Sequence, residues 1–161
     1  MDKITASVRK GCGIICEYNP FHNGHAYQIE YIKRALGLPV ICAMSGSFVQ
    51  RGEAACMDKK SRAEAAINGG AQLVLEIPFP YSCMTAEKFA EAGIAVLDGC
   101  GMCSHICFGS ECGDVDKLKK IAFFLLDSET TQSIQVYQSI YPSASYALAR
   151  SAVIRNALGD E

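Results

Sequence analysis

Four short apolar runs punctuate the first two thirds of the chain: "GCGIICE" (11–17), "LPVICAMS" (38–45), "AQLVLEIP" (71–78) and "SHICFGS" (104–110). Each is apolar at successive rather than alternate positions, is rich in β-branched residues, and is bounded by Gly, Pro or Ser, which is how a strand buried on both faces reads. Helical patterns fall between them at about 24–36, 58–69 and 83–98, the second closing on Gly69-Gly70 as a helix C-terminus commonly does. Strand and helix in strict alternation predict βαβ crossovers, and so an α/β fold with an open parallel sheet covered by helices on both faces. After Ser110 the period is helical throughout, at about 114–126, 129–139 and 142–158, with Pro142 near a helix start. The expected organisation is a tail at 1–10, an α/β domain at 11–126, and a helical extension at 127–161 that opens a further region. No internal repeat or low-complexity linker is present.

An open parallel sheet binds ligands in the crevice beyond the carboxyl ends of its strands. The stretch "EYNPFHNGH" (17–25) occupies that place after the first strand, and it spends two of the chain's three histidines three residues apart. Pro20 fixes the turn, Gly24 removes a side chain where a ligand could approach the backbone, and the following helix directs its free N–H groups at the crevice. A helix N-terminus favours an anion, phosphate above all. Two imidazoles there can donate to phosphate oxygens and offset the charge that grows as pyrophosphate leaves, which suits nucleotidyl transfer. Two plainer readings stand beside this one: a helix cap and a hydrogen-bonded core histidine, or a zinc pair with Glu17 as third ligand.

Composition narrows the alternatives. At 161 residues, half of them hydrophobic, the chain can bury roughly two thirds of its unfolded surface as one compact domain. No apolar run reaches the roughly 20 residues that span a bilayer, and "MDKITASVRK" lacks a signal-peptide core, so a cytoplasmic protein without a membrane partner is expected. A net charge of −2 and a pI near 5.9 supply no global basic field for nucleic acid. Nine cysteines is an odd number, which argues for reduced, mainly structural thiols. The cluster Cys100, Cys103, Cys107 and Cys112 matches no pair of metal knuckles, and no metal ligand is assigned.

At this point the residues carry a resemblance. "HNGH" resembles the HxGH signature of the nucleotidyltransferase superfamily that includes class I aminoacyl-tRNA synthetases and the pantetheine-phosphate and nicotinate-mononucleotide adenylyltransferases. The strings "GIICEYNPFHNGHAY", "AMSGSFVQRGEAACMDKKSRAEAAINGGAQLVLEIPFPYS", "TAEKFAEAG" and "CFGSE", with a weaker echo at "YPSASYAL", together resemble the bacterial tRNA(Met) cytidine acetate ligase family from about Gly11 to Glu111. The resemblance implies a Rossmann-like sheet of the HxGH nucleotidyltransferase type. It further implies an ATP-dependent ligase that converts acetate to acetyl-adenylate and acetylates the wobble cytidine of elongator methionine tRNA. Mg²⁺ would accompany ATP through phosphate and water.

Carried over position by position, the family's ATP-binding segment falls on Ile15, Cys16, Glu17, Tyr18, Asn19, Pro20, Phe21, His22, Asn23, Gly24, His25, Ala26, Tyr27 and Gln28, with His22 and His25 as the catalytic pair. Gly109 matches a second nucleotide-contacting glycine, although an ordinary β-to-α turn would also use it. Arg51 could grip pyrophosphate or tRNA phosphate with a bidentate fork, or lie in a solvated loop. Lys59 and Arg62, three apart on one helix face after the cap Asp58, are either further phosphate contacts or a solvated charged face. Glu76 and Glu87 are assigned no role. Members of that family continue well beyond this length, so most of the tRNA-holding surface is expected elsewhere. A stand-alone small-molecule adenylyltransferase and a non-catalytic ATP-binding module remain the alternatives.

Overall fold

The computed structural model describes residues 11–159, so the expected tail at 1–10 lies outside the described residues. The chain forms β1 (Gly11–Cys16), α1 (Asn23–Leu36), β2 (Val40–Ser45), α2 (Lys59–Asn68), β3 (Leu73–Ile77), α3 (Ala86–Gly99), β4 (Cys103–Ile106), α4 (Val115–Leu126), α5 (Ser128–Ile140) and α6 (Tyr146–Leu158). All four strands are parallel, in the order β3-β2-β1-β4. The chain therefore winds outward from β1 to β3 and returns to place β4 on the other side of β1. That reversal opens a crevice beyond the carboxyl ends of β1 and β4.

The inner strands form because apolar layers cover both of their faces, whereas β4, expected to be buried, is an edge strand with Ser104, His105 and Ile106 exposed. In β2, all six residues are buried: Val40, Cys42 and Met44 join Ile29 and Ile32 of α1 and Ala66 of α2, while Ile41 and Ala43 join Leu97 of α3. Helix α3 approaches β1 very closely. A Cβ on Gly13 would come within 2.6 Å of Leu97 Cδ1, and one on Gly93 within 2.7 Å of Ile15 Cγ2, so both glycines are there to let a helix backbone lie against a strand.

Element ends depart from the sequence reading where local turns intervene. Tyr81–Cys83 forms a 3₁₀ turn, which delays α3 to Ala86. Helix α6 starts at Tyr146, because the Ser145 side chain accepts from Leu148 N and sets the cap there, leaving Pro142 in the preceding turn. β4 is shorter than expected, ending at Ile106.

The chain divides into two compact units, one running to Phe108 and one from Gly109 onward. The sequence reading put the division after 126, but α4 packs with α5, and α5 with α6. In the second unit Thr130, Ile134 and Ala149 are buried while Phe123, Leu126 and Ile140 are exposed. Among the described residues no helix is long and apolar enough to cross a membrane.

Candidate active site

The turn between β1 and α1 is built from the inside outward. Tyr18 is buried with φ of 48°, its hydroxyl 3.5 Å from Cys42 Sγ, and burial pushes its phenol well above the ordinary range. Its ring supports Phe21 edge-on at 5.0 Å and His25 at 4.7 Å between centroids. Phe21 in turn packs onto Gly69, where a side chain would collide with it. The aromatic residues of "EYNPFHNGH" thus form a floor, and the histidines stand on it.

His22 is the N-cap of α1, and the two histidines cap one another: His22 Nδ1 accepts from Gly24 N at 3.1 Å, and His25 Nδ1 accepts from His22 N at 3.3 Å. The rings stack with centroids 3.6 Å apart. Since each Nδ1 accepts a backbone N–H, each neutral ring carries its proton on Nε2. Burial, and then the neighbouring His22, lower the His25 pKa and favour that neutral form. A Cβ on Gly24 would lie 3.0 Å from His22 Cε1, so the glycine of the motif is what lets the His22 ring fold over the helix end. The first turn of α1 contains no acidic side chain, and the positive end of its dipole is left for an anion. The arrangement offers two Nε2–H donors beside an uncompensated helix N-terminus.

A hairpin-like loop closes over this turn. Phe48 and Ala54 form an antiparallel bridge, with Ala55 N donating to Ser47 O at 3.0 Å, and Arg51 stands exposed near the tip with φ of 72°. Glu17 and Asn19 fasten the loop to the site: Glu17 Oε1 accepts from Gln50 N at 2.6 Å, and Asn19 Oδ1 from Cys56 N at 2.7 Å. Lys59 pairs with Glu76 at 2.7 Å, with both side chains about half exposed. Arg62 corrects the sequence reading. It belongs to no solvated face and is no direct phosphate or tRNA contact, because it is fully buried with its donors engaged inside the protein.

The rest of the expected segment divides by direction. Ile15 packs on the α3 side and Cys16 on the opposite side, and burial pushes the Cys16 thiol up. Pro20 and Asn23 are exposed, Ala26 is half-buried, and Tyr27 is exposed against Tyr31. Gln28 Nε2 donates to Cys107 O at 3.4 Å, joining α1 to the segment after β4 across the reversal of strand order. Gly109 follows two residues later with open space where a Cβ would stand. All nine cysteines are free, and burial raises Cys12 and Cys103 to about 11. Among the described residues no group of three or more His, Cys, Asp or Glu could hold a metal ion. An open cleft of about 800 Å³ in the second unit is lined by Val136, Tyr137, Ile140 and Val153, with Asp127 and Glu129 as its charged groups, a poor setting for an anion.

Comparison with known proteins gives concordant findings. The family described as HIGH Nucleotidyl Transferase matches residues 9–160. The tRNA(Met) cytidine acetate ligase of Caldanaerobacter subterraneus subsp. tengcongensis is 43% identical over 150 residues, covering 92% of this chain and 37% of that protein. The protein of the same name from Clostridium novyi is 43% identical over 143 residues, covering 88% of this chain and 36% of its own length. A crystal structure of Thermotoga maritima TmcAL bound with alpha-thio ATP superimposes with a TM-score of 0.81 at 34% identity, covering 92% of this chain and 36% of that one. The chain therefore spans little more than a third of the relatives it matches.

Proposed function

Because the chain belongs to the HIGH nucleotidyl transferase family, we propose that the β1–α1 crevice binds ATP and activates acetate as acetyl-adenylate, for transfer to the wobble cytidine of elongator methionine tRNA. The observation that carries this reading is the reciprocal histidine cap, which leaves two Nε2–H donors stacked at the acid-free N-terminus of α1. Support comes from the relatives' name and from the neighbour with alpha-thio ATP.

In the proposed reaction an acetate oxygen attacks the α-phosphorus, the bond to the β-phosphate oxygen breaks, and pyrophosphate leaves. Charge then accumulates on the departing phosphates, where donors fixed in advance are most effective. His22 and His25 supply such donors through Nε2–H, and Arg51 on its tethered loop adds an exposed cation. The cytidine amine then attacks the acetyl carbon, AMP departs with the electron pair, and the amine loses a proton. With no protein cage among the described residues, Mg²⁺ would be held by ATP oxygens and water, supplying charge neutralisation.

The basic groups are scattered, as with Lys117, Lys119 and Lys120 on α4, rather than gathered in one basic stripe. Lys59, Lys60 and Lys88 each pair with a glutamate, and the net charge is −2. Tight tRNA binding usually needs several Lys or Arg contacts to phosphate, so most tRNA contacts are assigned outside this stretch. Exchange of labelled pyrophosphate into ATP tests the reading. Exchange that requires acetate supports it. Exchange driven instead by phosphorylated vitamins identifies a small-molecule adenylyltransferase, and ATP binding without exchange identifies a binding module.

A further inference from the structure

Arg62 is an unusual cation. It is fully buried, at 0% exposure, and no carboxylate forms an ion pair with it among the described residues. Its hydrogen bonds go to five oxygens. Nε donates to Met57 O at 3.2 Å, Nη1 to Glu17 O at 2.5 Å and Ser45 Oγ at 3.3 Å, and Nη2 to Ser45 O at 3.2 Å and to Gly46 O. A guanidinium has five N–H donors, so the fork is saturated, yet carbonyl and hydroxyl oxygens leave its charge unneutralised. The acceptors also have a pattern. Glu17 begins the turn that carries the two histidines, Ser45 ends β2 with Gly46 next to it, and Met57 leads into α2, so three segments beside the histidine turn converge on one side chain.

A buried charge normally finds an opposite charge or is not kept. Here the region that would complete the charge balance is the crevice itself, where the histidine turn awaits an anion. We propose that Arg62 is a positioning residue for the nucleotide: it holds the Glu17 and Ser45–Gly46 backbone in register and supplies a fixed positive charge beneath the phosphates without touching them. This inference rests on the ATP reading above. The electrostatic share is large because a charge held away from water is weakly screened, whereas an exposed lysine at the same distance would be masked by salt.

The test separates phosphate from base. ATP and adenosine affinities are measured by calorimetry for the wild type, Arg62→Gln, Arg62→Met and Arg62→Lys, each checked for folding by circular dichroism. In the neutral variants ATP affinity should fall about tenfold or more, as loss of one poorly screened charge implies, while adenosine affinity stays within about twofold. Lysine, which keeps the charge but offers three donors for five acceptors, should recover ATP affinity to within about threefold of wild type. Parallel losses for ATP and adenosine would overturn the proposal and leave Arg62 a framework residue. So would unchanged ATP binding in Arg62→Gln, or failure of all three variants to fold. A wild type that binds no ATP would instead remove the functional reading on which the inference stands.

Discussion

A histidine that accepts a backbone N–H through Nδ1 loses that bond when it takes a second proton, and His25 is in this position with a second imidazole stacked on it. Its folded pKa therefore lies below the ordinary 6.5, from burial first and His22 second. For a base shifted this way the unfolded chain binds the proton more readily. The stability that His25 contributes is thus present above 6.5 and is lost as pH falls below that value toward the folded pKa. Thermal unfolding at pH 7.5 and 5.5 should show the wild type losing more stability on acidification than His25→Gln, and a flatter wild type would contradict the cap geometry. The same residue should matter more to chemistry than to binding. His25→Ala is expected to lower pyrophosphate formation about 100-fold, the ordinary cost of a lost transition-state donor, with a smaller change in ATP affinity.

At the scale of elements, the fold depends on how closely α3 can approach β1. Gly13→Ala puts a methyl group 2.6 Å from Leu97 Cδ1, inside a layer with no slack. Overpacking of this kind costs about 1–3 kcal/mol, read as a lower denaturant midpoint with little change in slope. Adding Leu97→Val should restore part of the loss, and an additive double variant would show that the two side chains do not meet. Much at this scale was legible in the sequence: four parallel strands, the helices between them, and the "HNGH" turn placed at the strand ends; the burial expected of the fourth was not, since β4 is an edge strand. What was not legible follows from the kind of partner involved. Arg62 lies in the polar stretch "DKKSRAEAA", which reads as a phosphate contact or a solvated face; its place on the inward face beside Ala66 escapes such a reading because its acceptors are mostly backbone carbonyls, which leave no mark in a sequence. Glu17 and Asn19 likewise sit in the expected ATP segment yet bond to backbone N–H groups of the 50–56 loop, a pairing over more than thirty residues that no local pattern announces.

For the molecule as a whole, nucleotide chemistry is proposed for the first unit, with most tRNA contacts lying outside this stretch. Incubated with ATP, Mg²⁺, acetate and elongator methionine tRNA, the chain is expected to form adenylate but little acetylcytidine. Efficient acetylation would mean that an RNA-binding surface exists here despite the paired lysines. In the proposed site ATP phosphates rest against the two stacked imidazoles, and the chain carries its own control, since its third histidine, His105, lies on β4 and bonds to Ser104 at 2.9 Å. The most direct test is to titrate the protein with Mg-ATP while following the three imidazole Cε1–H signals by NMR. Saturable shifts of the His22 and His25 signals are expected, with His105 nearly unmoved; saturable ATP binding that leaves His22 and His25 unshifted would rule out phosphates at the imidazoles.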